Sequence, residues 1–162
     1  MSRTEIVWSW VGAFIGISVV GITNSYFLEG RDLTLMIGSF GASAVLLYGA
    51  IRSPLAQPRN LLGGHILSAL IGVASYNALH DHIWLAASVA VATAIAVMHV
   101  TRTLHPPGGA TALIAVIGGE SIHDAGYWYV LAPAGLGAVI LLIVALLVNN
   151  IPKTRRYPEF WF

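Results

Sequence analysis

The 162-residue chain contains no cysteine, which excludes disulfides and thiolate metal sites and leaves the redox compartment open. Charge is almost as scarce. Lys, Arg, Asp and Glu make up 9% of the residues, against roughly 25% in an ordinary soluble domain. So few charged groups cannot coat a soluble domain of this size. The net charge of +1 gives no reason to expect a nucleic-acid partner. No Walker-type loop and no carboxylate pair inside an apolar run occurs. The chain therefore reads as a non-enzyme with no catalytic residues, no cofactor and no metal site. No linker or low-complexity stretch divides it, so residues 1–162 form a single transmembrane domain.

What is present is apolar sequence. Hydrophobic residues make up 57% of the chain, and the mean hydropathy is +0.77. They fall into six runs, at residues 6–28, 33–51, 61–79, 83–101, 106–118 and 127–148. The first is too long for the apolar core of a signal peptide and lacks a small-residue cleavage site, so it reads as a retained transmembrane helix. The fifth is short, about 20 Å as a helix, against a bilayer core of about 30 Å.

Threading the connections alternately across the membrane places Arg3, Arg52, Arg59, Arg102, Lys153, Arg155 and Arg156 on one side. Only Arg31 falls on the other, together with Glu29, Asp32, Asp81, Glu120 and Asp124. Basic residues favour the cytoplasmic face. The resulting expectation is an all-α membrane protein, a six-segment helical bundle with both termini cytoplasmic. The alternative has four full spans, with the second and fifth segments re-entrant. It moves Arg52 and Arg59 beside Glu29 and Asp32, against the charge pattern.

Two short strings also match. Gly41-Ala42-Ser43-Ala44-Val45-Leu46 lies in the second segment and Gly109-Ala110-Thr111-Ala112-Leu113-Ile114 in the fifth. Each is the middle element of a three-segment half. An odd number of crossings per half gives the halves opposite topology, the inverted-repeat plan of many transporters. Small-residue strings also recur in membrane helices simply because they allow close packing.

The most distinctive stretch runs from Thr101 through Arg102, His105, Pro106, Pro107, Gly108 and Gly109 to Thr111. Two prolines end the fourth helix and suit the first turn of a new one. Gly108 and Gly109 leave backbone N–H groups uncovered at that turn, and helix N-termini attract anions. Arg102 and His105 add positive charge. In the second segment Gly38-Ser39-Phe40-Gly41 interrupts the helix and offers a counterpart, with the Ser39 and Ser43 hydroxyls. Segments two and five are thus expected to be broken or short. The candidate substrate-binding residues are Ser39, Gly41, Ser43, Arg102, His105, Gly108, Gly109 and Thr111. The bland alternative for Gly38 and Gly41 is a tight helix crossing, as for Gly12 and Gly16.

These pieces, with Ser53-Pro54-Leu55-Ala56-Gln57-Pro58-Arg59-Asn60 and Gly64-His65, together resemble the HPP family of membrane proteins, named for the triplet found here at His105–Pro107. The resemblance runs from about Gly38 to the Arg155-Arg156-Tyr157-Pro158 tail. It implies an inner-membrane protein of bacterial or plastid type, similar to a chloroplast and cyanobacterial group linked to nitrite transport. The family is often described as having four transmembrane segments, fewer than the six read here. A transporter or channel for a small monovalent anion, nitrite foremost, fits the residues as well. Basic side chains at the bilayer centre cost roughly 2.5–3.5 kcal/mol or more, and none lies centrally in any predicted span.

The alternative function is a non-transporting scaffold or a haem-binding electron-transfer protein, with His65 and His99 as an axial pair. His65 otherwise reads as a packing or hydrogen-bonding residue at a helix entrance. His80-Asp81-His82 and His123-Asp124 read as solvated turns rather than a metal site. Trp8, Trp10, Trp84, Tyr127, Trp128, Tyr129, Tyr157 and Trp161 read as an interfacial aromatic belt. The expected partners are the lipid bilayer and a small inorganic anion. A homo-oligomer stays open.

Overall fold

The computed structural model of the chain describes residues 2–28 and 36–161. Glu29, Arg31, Asp32 and the first residues of the second apolar run lie outside the described residues. Within them the chain is helical, with no strand.

Helix α1 covers Arg3–Thr23 and is capped by the Ser2 hydroxyl, which accepts from the Glu5 amide at 3.2 Å. A wider π turn, Asn24–Leu28, ends it. Helix α2 starts at Ser39 and runs on through a π turn to Gly49. After a 3-10 turn at Pro54–Ala56, α3 spans Pro58–Leu79 and α4 spans Ile83–Val100. Helix α5 is Pro106–Ile117, α6 is the short Glu120–Ala125, and α7 is Leu136–Val148.

Four helical stretches are long and apolar enough to cross a membrane: Arg3–Tyr26, Pro58–Leu79, Ile83–Val100 and Val130–Val148. Helix α5 has 12 residues, about 18 Å at 1.5 Å per residue, and Ser39–Gly49 is shorter still. Their shortness follows from what precedes them. Pro106 and Pro107 force the start of α5, whereas α2 begins only after Gly38. The last apolar run differs from a single helix. Pro133 cannot donate to the helical ladder, and Ala132 before it is extended (φ −141°, ψ 123°), so the regular helix begins at Leu136.

Contacts sort the helix ends into two groups. At one, the terminal end, Arg155 bonds Glu5 of α1, and a cavity of about 580 Å³ is lined by Ser2, Glu5, Thr154 and residues 49–53. The Arg59 guanidinium joins the start of α3 to the end of α4, donating to the Thr101 carbonyl at 2.6 Å. At the far end, Tyr76 of α3 stacks on His123 of α6 at 3.7 Å. The start of α2 lies towards that far end, since Met36, Ile37 and Gly38 share a cavity with Ile114, Gly118, Ser121 and Ile122. Helix α2 thus runs back to the face where the chain begins, and α5 runs the other way.

Packing relies on small residues. Helix α1 buries Gly12, Gly16 and Val20, and α4 buries Ala86, Ala90, Ala94 and Met98, each at every fourth position. A Cβ at Gly12 or Gly16 would run into the Tyr48 ring, whose hydroxyl donates to the Leu141 carbonyl of α7 at 3.1 Å. Outward positions are apolar instead: Ile6, Trp10, Phe14, Ile95, Val100, Val139 and Leu147 are all exposed. That surface suits lipid, not water. The belt reading is compatible with Trp10, Trp84, Tyr127, Trp128 and Trp161, all at least half exposed. It fails for Tyr129 and Tyr157, which are buried and donate to the carbonyls of Thr111 and Ala56.

Candidate functional site

Helices α2 and α5 cross in opposite directions. Ser39 meets Thr111 and Ser43 meets His105, so one residue number rises as the other falls. The crossing is buried: Ser39 is 1% exposed, and Ser43, His65, His105 and Thr111 are 0% exposed. Polar side chains this deep persist only when bonded. Among the described residues every buried side-chain nitrogen and oxygen has a partner.

The pairings form a single cluster. Ser43 Oγ lies 2.8 Å from His65 Nε2 and 2.9 Å from His105 Nε2. His65 Nδ1 lies 2.7 Å from Thr111 Oγ1, which lies 3.0 Å from Ser39 Oγ. His105 Nδ1 donates to the Leu55 carbonyl at 2.8 Å. The two imidazoles meet edge to face, centroids 5.0 Å apart, and Phe40 packs against the other side of His65 at 5.3 Å.

Local sequence explains each placement. His105 precedes Pro106, which drives it into an extended conformation (φ −139°, ψ 103°) at the N-cap of α5 and turns its ring inward. Leu55 sits in the 3-10 turn, capped by Ser53 and held by Gln57. The Gln57 amide donates to the Ile51 and Ser53 carbonyls at 3.0 and 2.8 Å. Asn60 donates to the Leu104 carbonyl at 2.8 Å, joining the two connections at the terminal end. Helices α3 and α5 approach along Gly64, Ser68 and Gly72. A Cβ at Gly64 would strike the His105 Cβ, and one at Gly72 would come within 2.6 Å of the Ala112 carbonyl oxygen. Gly137 of α7 makes room for Phe40 in the same way.

The structure brings together Ser39, Ser43, His105 and Thr111 of the predicted set. Gly108 also lies at the seam, where a Cβ would come within 2.8 Å of the Gly64 carbonyl oxygen and 2.9 Å of Ser68 Oγ. Gly41 and Gly109 stand apart, since an added Cβ at either meets no atom within 4 Å. Arg102 stands apart too. It is exposed and adopts φ 56° in the turn that closes α4, where the Thr103 amide reaches back to the Met98 carbonyl at 2.9 Å.

The backbone amides differ from expectation. The Gly108 N–H donates to the His105 carbonyl at 2.8 Å, and the Phe40 and Gly41 N–H groups close 3-10 bonds on Ile37 and Gly38. Hydroxyls and imidazoles therefore supply the donors at the crossing. His65 is the member that the sequence reading left outside the anion site, as a packing or hydrogen-bonding residue or, in the alternative, a haem ligand. Its one signal was its place beside Gly64 and three residues before Ser68, on a helix face made of small residues.

At the far end, His123 Nε2 faces the Val116 carbonyl at 3.0 Å and its ring is stacked. Among the described residues no group of three His, Asp or Glu is placed to hold a metal ion.

The sequence matches the family model described as HPP, transmembrane region, over residues 1–158. It is 45% identical over 161 residues to a transmembrane protein of Dictyostelium discoideum, covering 98% of this chain and 51% of that protein. A second transmembrane protein of the same organism is 43% identical over 161 residues, covering 98% of this chain and 56% of that protein. The chain thus spans about half the length of these curated relatives. No solved structure matches.

Proposed function

We propose that this chain, which belongs to the HPP family of transmembrane proteins, carries a small monovalent anion, nitrite foremost, across a cell inner membrane. The observation that carries the reading is the buried crossing of two short antiparallel helices, which gathers three hydroxyls and two imidazoles, with no Asp, Glu, Lys or Arg side chain among the described residues bonded to them. Neutral donors can replace part of the hydration shell of a monovalent anion without holding it too tightly for release. Short or interrupted helices at corresponding places in two halves are where transporters build such sites. Nitrite as the substrate rests on the resemblance to the chloroplast and cyanobacterial group.

The same reading takes the chain as six crossings in two inverted three-segment halves, both termini cytoplasmic. Three observations support it. The end of α2 lies with the start of α1, the short helices α2 and α5 run antiparallel, and α1 and α4 each bury a stripe of residues spaced four apart. The haem alternative gains nothing from the contacts. His99 is exposed, and both nitrogens of His65 are engaged with Ser43 and Thr111.

Proteoliposomes of the purified protein test the function. Nitrite influx is expected to exceed that of protein-free vesicles, to saturate, and to fall with Ser43→Ala. Influx no greater than in protein-free vesicles for nitrite, nitrate, formate and chloride alike would overturn it. Cysteines placed singly at Asp81, Glu120, Arg52 and Lys153 test the crossings. An external impermeant reagent is expected to label the first two and spare the last two.

A further inference from the structure

One acceptor dictates the hydrogens of the whole central cluster. The Leu55 carbonyl has no proton to give, so His105 Nδ1, 2.8 Å away, carries one. In a neutral imidazole Nε2 is then a bare acceptor, and Ser43 donates to it across 2.9 Å. With its single hydrogen committed, the Ser43 oxygen accepts from His65 Nε2 at 2.8 Å. Neutral His65 presents a bare Nδ1, which takes the Thr111 hydroxyl hydrogen at 2.7 Å in preference to the Pro107 carbonyl 3.2 Å away. Ser39 Oγ, 3.0 Å from Thr111 Oγ1, competes for the same hydrogen as an acceptor and loses it to the shorter His65 contact. Thr111, His65, Ser43, His105 and the Leu55 carbonyl thus form one unbranched chain. Every hydrogen in it points the same way and none is spare.

A chain with no spare donor has nothing to offer an anion. One added proton changes that. Placed on His105 Nε2, it gives both rings an Nε2–H aimed at Ser43, whose oxygen has two lone pairs and accepts from both. The Ser43 hydrogen is released, beside a cluster that now carries one positive charge. An anion satisfies both the free hydrogen and the charge. Neither partner is stable there alone, because an unpaired charge buried in apolar surroundings is costly. Nothing else nearby compensates either. The rings face each other, Phe40 and Ser43 of α2, Thr111 of α5 and the Leu55 turn. Ser68 lies beside them with its hydroxyl on the Met98 sulfur of α4, and Tyr129 donates to the Thr111 carbonyl. Among the described residues no Asp, Glu, Lys or Arg side chain hydrogen bonds or ion-pairs with any member of the cluster.

We infer that the cluster takes up one proton with each anion, so that the protein is a one-to-one proton–anion symporter. This rests on the anion-transport reading above. The proton comes from water on the side of entry, forms an N–H bond on His105 Nε2, and returns to water on the other side when that bond breaks. The anion leaves with it, and no charge stays in the protein.

Nitrite influx into proteoliposomes separates the possibilities, with influx into protein-free vesicles subtracted to remove permeation of nitrous acid. Acidifying the outside by one unit below saturation is expected to raise the protein-dependent rate about tenfold, as one-proton linkage requires. A pH dye inside should report acidification in step with nitrite. A potassium-diffusion potential of about 100 mV is expected to change the rate less than twofold, because a neutral pair feels none of the roughly 2.3 kcal/mol that a lone charge would. Influx that follows the potential and ignores the pH gradient overturns the symport while leaving anion transport standing. No protein-dependent influx of any anion defeats the transport reading itself. His105→Gln keeps an amide donor but cannot titrate, and it is expected to flatten the pH profile. A folded His105→Gln protein with the unaltered profile counts against the inference.

Discussion

Arg155 and Ser43 each sit at the centre of a buried polar network, one joining the C-terminal tail to α1 and one where α2, α3 and α5 meet. Both networks join segments far apart in the chain, and both are fully bonded. They differ in what their hydrogens can do. The Arg155 guanidinium has five N–H groups, and five acceptors meet them: Glu5 Oε2 at 2.9 Å, the Tyr48 carbonyl at 3.2 Å, Asn149 Oδ1 at 3.2 Å, the Glu5 carbonyl at 2.8 Å and Ser9 Oγ at 2.9 Å. That charge is permanent and its geometry is spent. The central cluster has no permanent charge. Each hydroxyl and ring there can give or take a proton, so its order is reversible. A saturated arginine fastens a bundle, whereas a neutral chain of exchangeable hydrogens leaves chemistry available.

The comparison is broken first at Arg155. Arg155→Met removes the shared donor of α1, the α2 end and the α7 end, and leaves the Glu5 carboxylate and two carbonyls without it. Breaking a buried pair from one side costs about 3–5 kcal/mol. The lower figure applies here, because the Glu5 side chain is 28% exposed and water can reach it. Thermal unfolding in detergent should show the loss, with anion flux per folded molecule unchanged. An unaltered melting temperature would mean that the tail contact is ornamental.

Gly108 and Gly109 sharpen it next. They are neighbours, yet a Cβ at Gly108 meets the Gly64 carbonyl oxygen and Ser68 Oγ, whereas one at Gly109 meets nothing within 4 Å. Gly108→Val must force α3 and α5 apart, and overpacking of this kind costs about 1–3 kcal/mol. Gly109→Val is expected to fold at wild-type yield. Measured together by size-exclusion chromatography and thermal unfolding, equal losses for both would contradict the seam.

Much of this was legible in the residues, and the rest was hidden for physical reasons. The His105-Pro106-Pro107 break and the hydroxyls of Ser39, Ser43 and Thr111 announce themselves, because proline and glycine act locally on the backbone. Arg52 also lies where the threading grouped it, beside Ser2, Glu5 and Thr154 at the terminal end. His65 was harder, since a lone histidine in an apolar helix has the same local signature whether it packs or joins a cluster. Tyr129 and Tyr157 sit near segment ends like any belt aromatic, and only the tertiary fold turns their hydroxyls inward. Arg155 was counted only among the basic residues of one side, and its burial depends on Glu5, 150 residues away. The break at Ala132 is a different case. Pro133 inside the last apolar run was a visible signal that the helix could not pass through unbroken.

The smallest expected effect is at Arg102, which stands outside both networks. Its φ of 56° lies in the left-handed region, where a Cβ crowds the following carbonyl. The strain costs an L-residue roughly 1–2 kcal/mol. Helix α4 requires that geometry, because the closing turn depends on the Thr103 amide reaching Met98 and the Arg102 amide reaching His99 at 3.2 Å. Glycine would fit without strain, but it also enlarges the unfolded ensemble by about 0.5–1 kcal/mol. Arg102→Gly is therefore expected to stabilise the protein by a few tenths of a kcal/mol up to about 1 kcal/mol, read as a small rise in melting temperature. Transport should move the other way. An exposed cation near the α4–α5 connection attracts anions only through water, so its removal should slow nitrite influx at low salt and hardly at all once screening shortens to a few ångströms. Arg102→Lys keeps the charge and the strain, and should match the wild type in both measurements. A stabilised Arg102→Gly protein with full influx at low salt would reduce Arg102 to a helix cap, with the central cluster left to attract the anion by itself.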